Sequence, residues 1–183
     1  MFEQVFKYGQ DYEKTSAEDV RIYVAPDIAY NNEVVFQQLK STRELAQQLF
    51  NKNFEQHQSL AIFVTKPGYR GHERIAEITG AYSFAMGVIF INGEDPHLVS
   101  STTVHEYTHF LFGEFLTELQ LTFEDIPDWF TEGLAEYVAF QVELALPQKY
   151  SLYYNHFPFP KMHTLTNGNV GRFIYKAFTQ YRI

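Results

Sequence analysis

Cysteine is absent from this chain. That omission removes disulfides, thiolate metal sites and cysteine nucleophiles together, so any metal or catalytic chemistry falls to histidine and the carboxylates. Long apolar runs are missing too, none approaching the ~20 residues of a membrane-spanning helix. The start, Met1-Phe2-Glu3-Gln4-Val5-Phe6-Lys7, has no basic segment followed by an apolar stretch. No signal peptide is therefore visible, and the default expectation is a cytoplasmic protein, or a secreted one if a leader has been trimmed. Basic runs are equally scarce. With 14 Lys+Arg against 22 Asp+Glu and a net charge of −8, nucleic acid and anionic membranes are poor partners.

What is present argues for a packed domain. At 45% hydrophobic and 17% aromatic, the 183 residues can bury a real core, and the length suits one domain rather than two. Neither a repeat period nor an internal linker is evident, so the expected unit is a single domain over residues 1–183. Residues 1–19 are read as an N-terminal arm or short helix, and 148–183 as a C-terminal subdomain. Between them, Val20-Arg21-Ile22-Tyr23-Val24 reads as a strand ended by Pro26. From Asn32 to about Phe54, Val35, Leu39, Leu45, Leu49 and Phe50 fall on one helical face. Ser59 to Val64 is an almost wholly apolar run, read as a central strand, and Pro67 to Gly71 as an exposed loop. Ile75 to Asn92 holds two more strand-like pieces, separated near Gly80. The second, Ala85 to Ile91, is either an ordinary core strand or the rim of a cleft able to pair with an extended peptide.

The stretch that carries chemistry is His105-Glu106-Tyr107-Thr108-His109. In an α-helix, residues four apart stack on one face, so both histidines point the same way, as two ligands of one metal must. Glu106 is turned by about 100° from His105, which places it beside such a metal to take a proton from water. This is the H-E-x-x-H pattern of zinc hydrolases. Asp95-Pro96 offers an N-cap and a proline at the first helical position, and Gly113 offers a stop. Leu98, Val99, Val104, Leu111 and Phe112 are apolar, as a buried helix requires.

A second helix is expected from Asp128, as N-cap, to Pro147. It carries Glu132 and Glu136, which are four apart and share a face. A catalytic zinc wants three protein ligands and an open position, and His2Glu is one standard set. Glu132 can supply the third ligand, or act simply as an acid near a helix N-terminus. Glu136 can accept the second ring N–H of a ligand histidine, or be a plain surface glutamate.

His105-Glu106-Tyr107-Thr108-His109 followed by Trp129-Phe130-Thr131-Glu132-Gly133-Leu134-Ala135-Glu136-Tyr137 resembles the gluzincins, in particular their small peptidase-MA-like branch. The resemblance covers about Val20 to Ala139. It implies an α+β fold like the thermolysin-type N-terminal lobe, a twisted mixed sheet packed on the H-E-x-x-H helix and a second, Glu-bearing helix. Also implied are Zn2+ held by His105, His109 and Glu132, Glu106 as general base, and a peptide or protein substrate. A downstream Tyr or His to stabilise the oxyanion is expected as well, with Tyr154 and His156 the nearest of several. The metzincin pattern is excluded, because Phe112 and Phe115 stand where its Gly and His would be. Gly80 to Gly87 lacks the Glu and Asn with which gluzincin aminopeptidases grip a free amine, so an endopeptidase is expected. Related proteins often continue into a second lobe. This chain stops at Ile183, which implies either a shallow cleft or a piece of something longer. The competing reading is a zinc-binding module that recognises a peptide or partner without hydrolysing it, or that inhibits itself. A scaffold with vestigial motif residues is the third.

Overall fold

The computed structural model describes residues 11–17, 19–54, 60–69 and 78–145. In chain order these form β1 (Glu13–Ala17), β2 (Val20–Val24), α1 (Asn32–Phe50), β3 (Leu60–Thr65), β4 (Gly80–Ser83) and β5 (Val88–Asn92). There follow α2 (Pro96–Glu118), a 3-10 turn (Phe123–Asp125) and α3 (Asp128–Ala145). The class is α+β. One five-stranded mixed sheet has the order β1-β2-β3-β5-β4, with β2, β3 and β5 parallel and the two edge strands antiparallel to their neighbours.

Alternation along the strands decides which face meets the helices, because successive side chains point to opposite sides of a sheet. Ile22, Ile62 and Ile89 pack with the buried residues of the three helices in one large core. Their neighbours Tyr23, Phe63 and Phe90 face the other way, in register across three strands. There they stack, with centroids 4.6 Å apart for Tyr23–Phe63 and 5.6 Å for Phe63–Phe90. Tyr12 closes over Phe63 edge-on and pairs its hydroxyl with Thr65 Oγ1 at 3.0 Å.

Helix α1 begins where Asn31 caps it, its side chain accepting from the Val34 amide at 3.2 Å. It ends at Asn51, whose φ of 50° is the left-handed conformation that asparagine tolerates. The apolar stripe Val35, Leu39, Leu49 and Phe50 is buried as its spacing requires. Helix α2 is enclosed by more neighbours, packing against α1, α3, β4 and β5. A polar seam joins α1 to α2. Arg43 donates through Nε and Nη2 to the Tyr107 hydroxyl at 3.2 and 3.1 Å, and pairs with Asp19 at 3.0 Å. Ser100 donates to the buried Gln38 side chain. Among the described residues, no helix is long and apolar enough to cross a membrane.

Several expectations change, and the open choice for Ala85 to Ile91 falls to the core strand. Residues 13–17 are not part of a loose arm, since β1 pairs with β2 over its whole length. The two strand pieces before α2 divide at 84–87, where Gly87 turns with φ +60°, and Gly80 instead opens β4. Strand β5 lies inside the sheet, so the rim is β4. Gly113 does not stop α2, which runs on to Glu118 and ends at Gln120, with φ 58°. A side chain at Gly113 would press on the rings of Phe123 and Phe84, at 3.1 and 3.3 Å, so the glycine serves packing rather than termination. Asp128 is the first helical residue of α3, the Phe130 amide bonding back to the Pro127 carbonyl at 2.8 Å. The subdomain expected at 148–183 lies outside the described residues, as do Tyr154, His156 and the expected end at Pro147.

The seam yields a direct test. Tyr107 is fully buried, and replacing it by Phe removes the hydroxyl that accepts from Arg43 Nε and Nη2. Tyr107→Phe is expected to cost about 1.5–3 kcal/mol, the net worth of hydrogen bonds to a charged group, read as a lower urea midpoint at unchanged m. An unaltered midpoint would mean that the seam contributes nothing to holding α2.

Candidate metal centre

Among the polar side chains that the two helices deliver to one open cleft of ≈ 770 Å³ are His105, Glu106, His109, Glu132 and Glu136. Four come in pairs set by helical spacing, His105 with His109 on α2 and Glu132 with Glu136 on α3. Both ring Nε2 atoms point at one spot, 3.1 Å apart. Glu132 reaches the same spot from α3, with Oε2 3.2 Å from His105 Nε2 and Oε1 3.4 Å from His109 Nε2. All three ligand atoms lie within 4.8 Å of one another, and the group can hold a metal ion. At most one proton fits between two facing imidazole nitrogens, so a cation satisfies both lone pairs better than a proton does.

Glu136 stands behind this group. Its Oε1 lies 3.0 Å from His105 Nδ1, so it accepts the Nδ1–H and leaves Nε2 with its lone pair facing the cleft. Burial pulls the His105 pKa down, but the bond to Glu136 and the charges of Glu106, Glu136 and Glu132 outweigh it, and the net shift is upward. The same bond draws Glu136 below the usual carboxylate range. His109 moves the other way, lowered by burial and by the neighbouring His105. Its ring is braced edge-on by Phe123, at 6.3 Å between centroids.

Glu106 is the most enclosed of the acids, with 8% of its surface exposed. Burial pushes its pKa up to about 7, against the opposing pull of His105 and of a backbone hydrogen bond from Tyr82. That bond comes from β4, the edge strand, which crosses the helix close above this residue. The absence of a side chain at Gly80 allows the crossing. A Cβ there would lie 2.5 Å from Thr102 Cγ2 and 3.0 Å from Glu106 Cγ.

His105, His109, Glu132, Glu106 and Glu136 thus line a single cleft. The spacing of the motif gave no hint of Gly80, the Tyr82 amide, Phe84 or Phe123, which also border it. In the sequence Gly80 reads as a break between strands and as the start of a stretch without an amine-gripping Glu, and Phe123 sits in a stretch dominated by polar and acidic residues. No protein-family model matches the chain, and no curated protein does.

Gly80→Ala is expected to destabilise the protein by about 1–3 kcal/mol, as overpacking at a tight contact does, and to move Glu106 off its Tyr82 bond. Denaturant unfolding measures the first effect and the Glu106 carboxyl NMR shift the second. Wild-type stability with an unmoved carboxyl resonance would show that β4 does not rest on α2 so closely.

Proposed function

We propose that this chain is a zinc-dependent endopeptidase of the gluzincin kind, built on a thermolysin-like lobe. The observation that carries the reading is the meeting of His105, His109 and Glu132 within 4.8 Å, with the buried Glu106 fastened beside them by the edge strand. Zinc suits the donor set, two imidazoles and one carboxylate. The two Nε2 atoms lie 3.1 Å apart, and Glu132 faces both, through Oε2 at 3.2 Å from His105 and Oε1 at 3.4 Å from His109, so these three residues would hold the ion. Strand β4, Gly80-Ala81-Tyr82-Ser83, offers no carboxylate to hold a free amino terminus, which favours cleavage within a chain.

When bound, zinc supplies a Lewis acid that polarises a peptide carbonyl and brings the pKa of a water towards 7. The chain's own residues do the rest. Glu106 takes a proton from the attacking water as its oxygen bonds to the carbonyl carbon. The C–N bond then breaks, and Glu106 returns the proton to the leaving nitrogen, giving a free acid and a free amine. The backbone of Tyr82 favours the ionised form of Glu106. Glu136 holds His105 in the tautomer that leaves Nε2 free to bind.

Elemental analysis and zinc titration test the metal. Wild type is expected to hold about one zinc per chain, Glu132→Ala to lose it, and Glu136→Gln to bind about 10–100-fold more weakly. Undiminished zinc in Glu132→Ala would place the third ligand elsewhere. Glu106→Gln should retain zinc while peptide hydrolysis falls by at least about 10²-fold. Hydrolysis at the wild-type rate in that variant would remove Glu106 as base. Zinc without turnover in wild type would favour a binding module.

A further inference from the structure

Away from the metal group, a second cavity of ≈ 530 Å³ opens between α1 and the start of β2. Its long wall is one stripe of α1. Glu33, Phe36, Lys40 and Arg43 follow at steps of three and four, which keep them on one side of the helix. Val20 of β2 and Leu39, both buried, form the floor with the half-buried Phe36. The two ends of the stripe differ in sign. Glu33 stands at one end, and Lys40 and Arg43 at the other. Seven residues of helix separate Glu33 from Lys40, about 10 Å along the axis. Arg43 is held by Tyr107 and Asp19. Glu33 and Lys40 are exposed, and among the described residues neither forms an ion pair. The exposed side-chain amides of Asn32 and Gln37 border the same space, and each can both donate and accept.

We propose that this groove is a peptide site separate from the metal cleft, taking a short apolar peptide by both of its termini. The peptide's carboxylate meets Lys40 beside Arg43, and its ammonium meets Glu33. An extended chain advances about 3.3 Å per residue, so three residues span the ~10 Å between the two charges. Apolar side chains of the peptide then cover Phe36 and the floor, and its backbone groups meet the amides of Asn32 and Gln37, the mix of apolar wall and a few polar groups that small ligands need. Opposite charges at the two ends also decide against other occupants. A fatty-acid anion satisfies Lys40 but lays a hydrocarbon tail against Glu33, and an amphipathic amine does the reverse. The site needs no hydrolysis at the metal, so it stands or falls apart from the peptidase reading.

The test is an amide NMR titration of the zinc-loaded full chain carrying Glu106→Gln, which spares the peptide from cleavage, with the tripeptide Leu-Ala-Leu up to about 10 mM. The amides of Phe36, Gln37 and Lys40 should shift and approach saturation. Amidating the peptide's carboxylate, or acetylating its amine, should weaken binding about 3–5-fold each, the worth of one partly exposed charge pair. Lys40→Gln should abolish the effect of amidation, and Glu33→Gln that of acetylation. Both side chains are exposed, so both variants keep the fold. Octanoate, which carries the carboxylate without the amine, should bind more weakly than the tripeptide. Absence of shifts in the groove, shifts confined to the metal cleft, or capped peptides that bind as well as the free one overturn the site. An effect of capping that survives both variants overturns it too, and octanoate binding as tightly as the tripeptide overturns the peptide assignment. Turnover is not read, so failure of the peptidase reading leaves this test intact.

Discussion

Everything about this molecule depends on the burial of α2. Val104, Tyr107 and Leu111 have no exposed surface, and α1, α3 and two strands pack around the helix. A helix enclosed in this way keeps only a narrow stripe open to the cleft. His105 and His109 occupy that stripe because a four-residue step keeps them in line, and Gly113, one step further, is covered by the rings of Phe123 and Phe84. The sheet and the other helices therefore act as a clamp that fixes where two imidazoles point. Enclosure also makes the rotational setting of α2 expensive to change, since turning the stripe away would expose large apolar side chains. The Arg43–Tyr107 bonds add direction to what burial alone would leave non-specific.

The same enclosure concentrates charge. Glu106, Glu132 and Glu136 converge on two imidazoles, and the two rings respond oppositely, His105 being raised and His109 lowered. One proton on His105 leaves the group with more negative than positive charge. A divalent cation at the Nε2 atoms would balance it better, and its field would draw Glu106 down from about 7. The electrostatics and the ligand spacing thus favour the same occupant. Neither depends on the resemblance of the two motifs to a family, so the case for a metal stands on the geometry of five side chains.

Much of this was legible in the chain because helical spacing is a local rule. Four-residue steps place His105 with His109 and Glu132 with Glu136 before any tertiary fact is known. The strands over Val20–Val24 and Leu60–Thr65 announced themselves by apolar runs between breakers. What was not legible depends on contacts between distant segments. Gly113 resembles a helix stop, and only the rings of Phe84 and Phe123 reveal why it is glycine inside a continuous helix. Gly80 resembles a break, and only Thr102 and Glu106 beneath it explain its place within an edge strand. Sheet order was hidden for the same reason. Alternation shows that a segment is a strand without showing its neighbours, so β5 could pass for the rim although β4 pairs outside it.

That outer position of β4 has a consequence for both stability and function. An edge strand presents unpaired amides and carbonyls, which invite pairing with another chain. β4 is only four residues long, and one of its donors, the Tyr82 amide, is taken by Glu106. The strand's backbone lowers the pKa of a carboxylate that burial drives towards its neutral form, and Gly80 rests against the same side chain. Any extended ligand lying along β4 would meet a strand whose position is set by Gly80 and whose amide pattern is already shaped by Glu106. The edge strand and the floor of the cleft are then one connected unit, because the same carboxylate meets both.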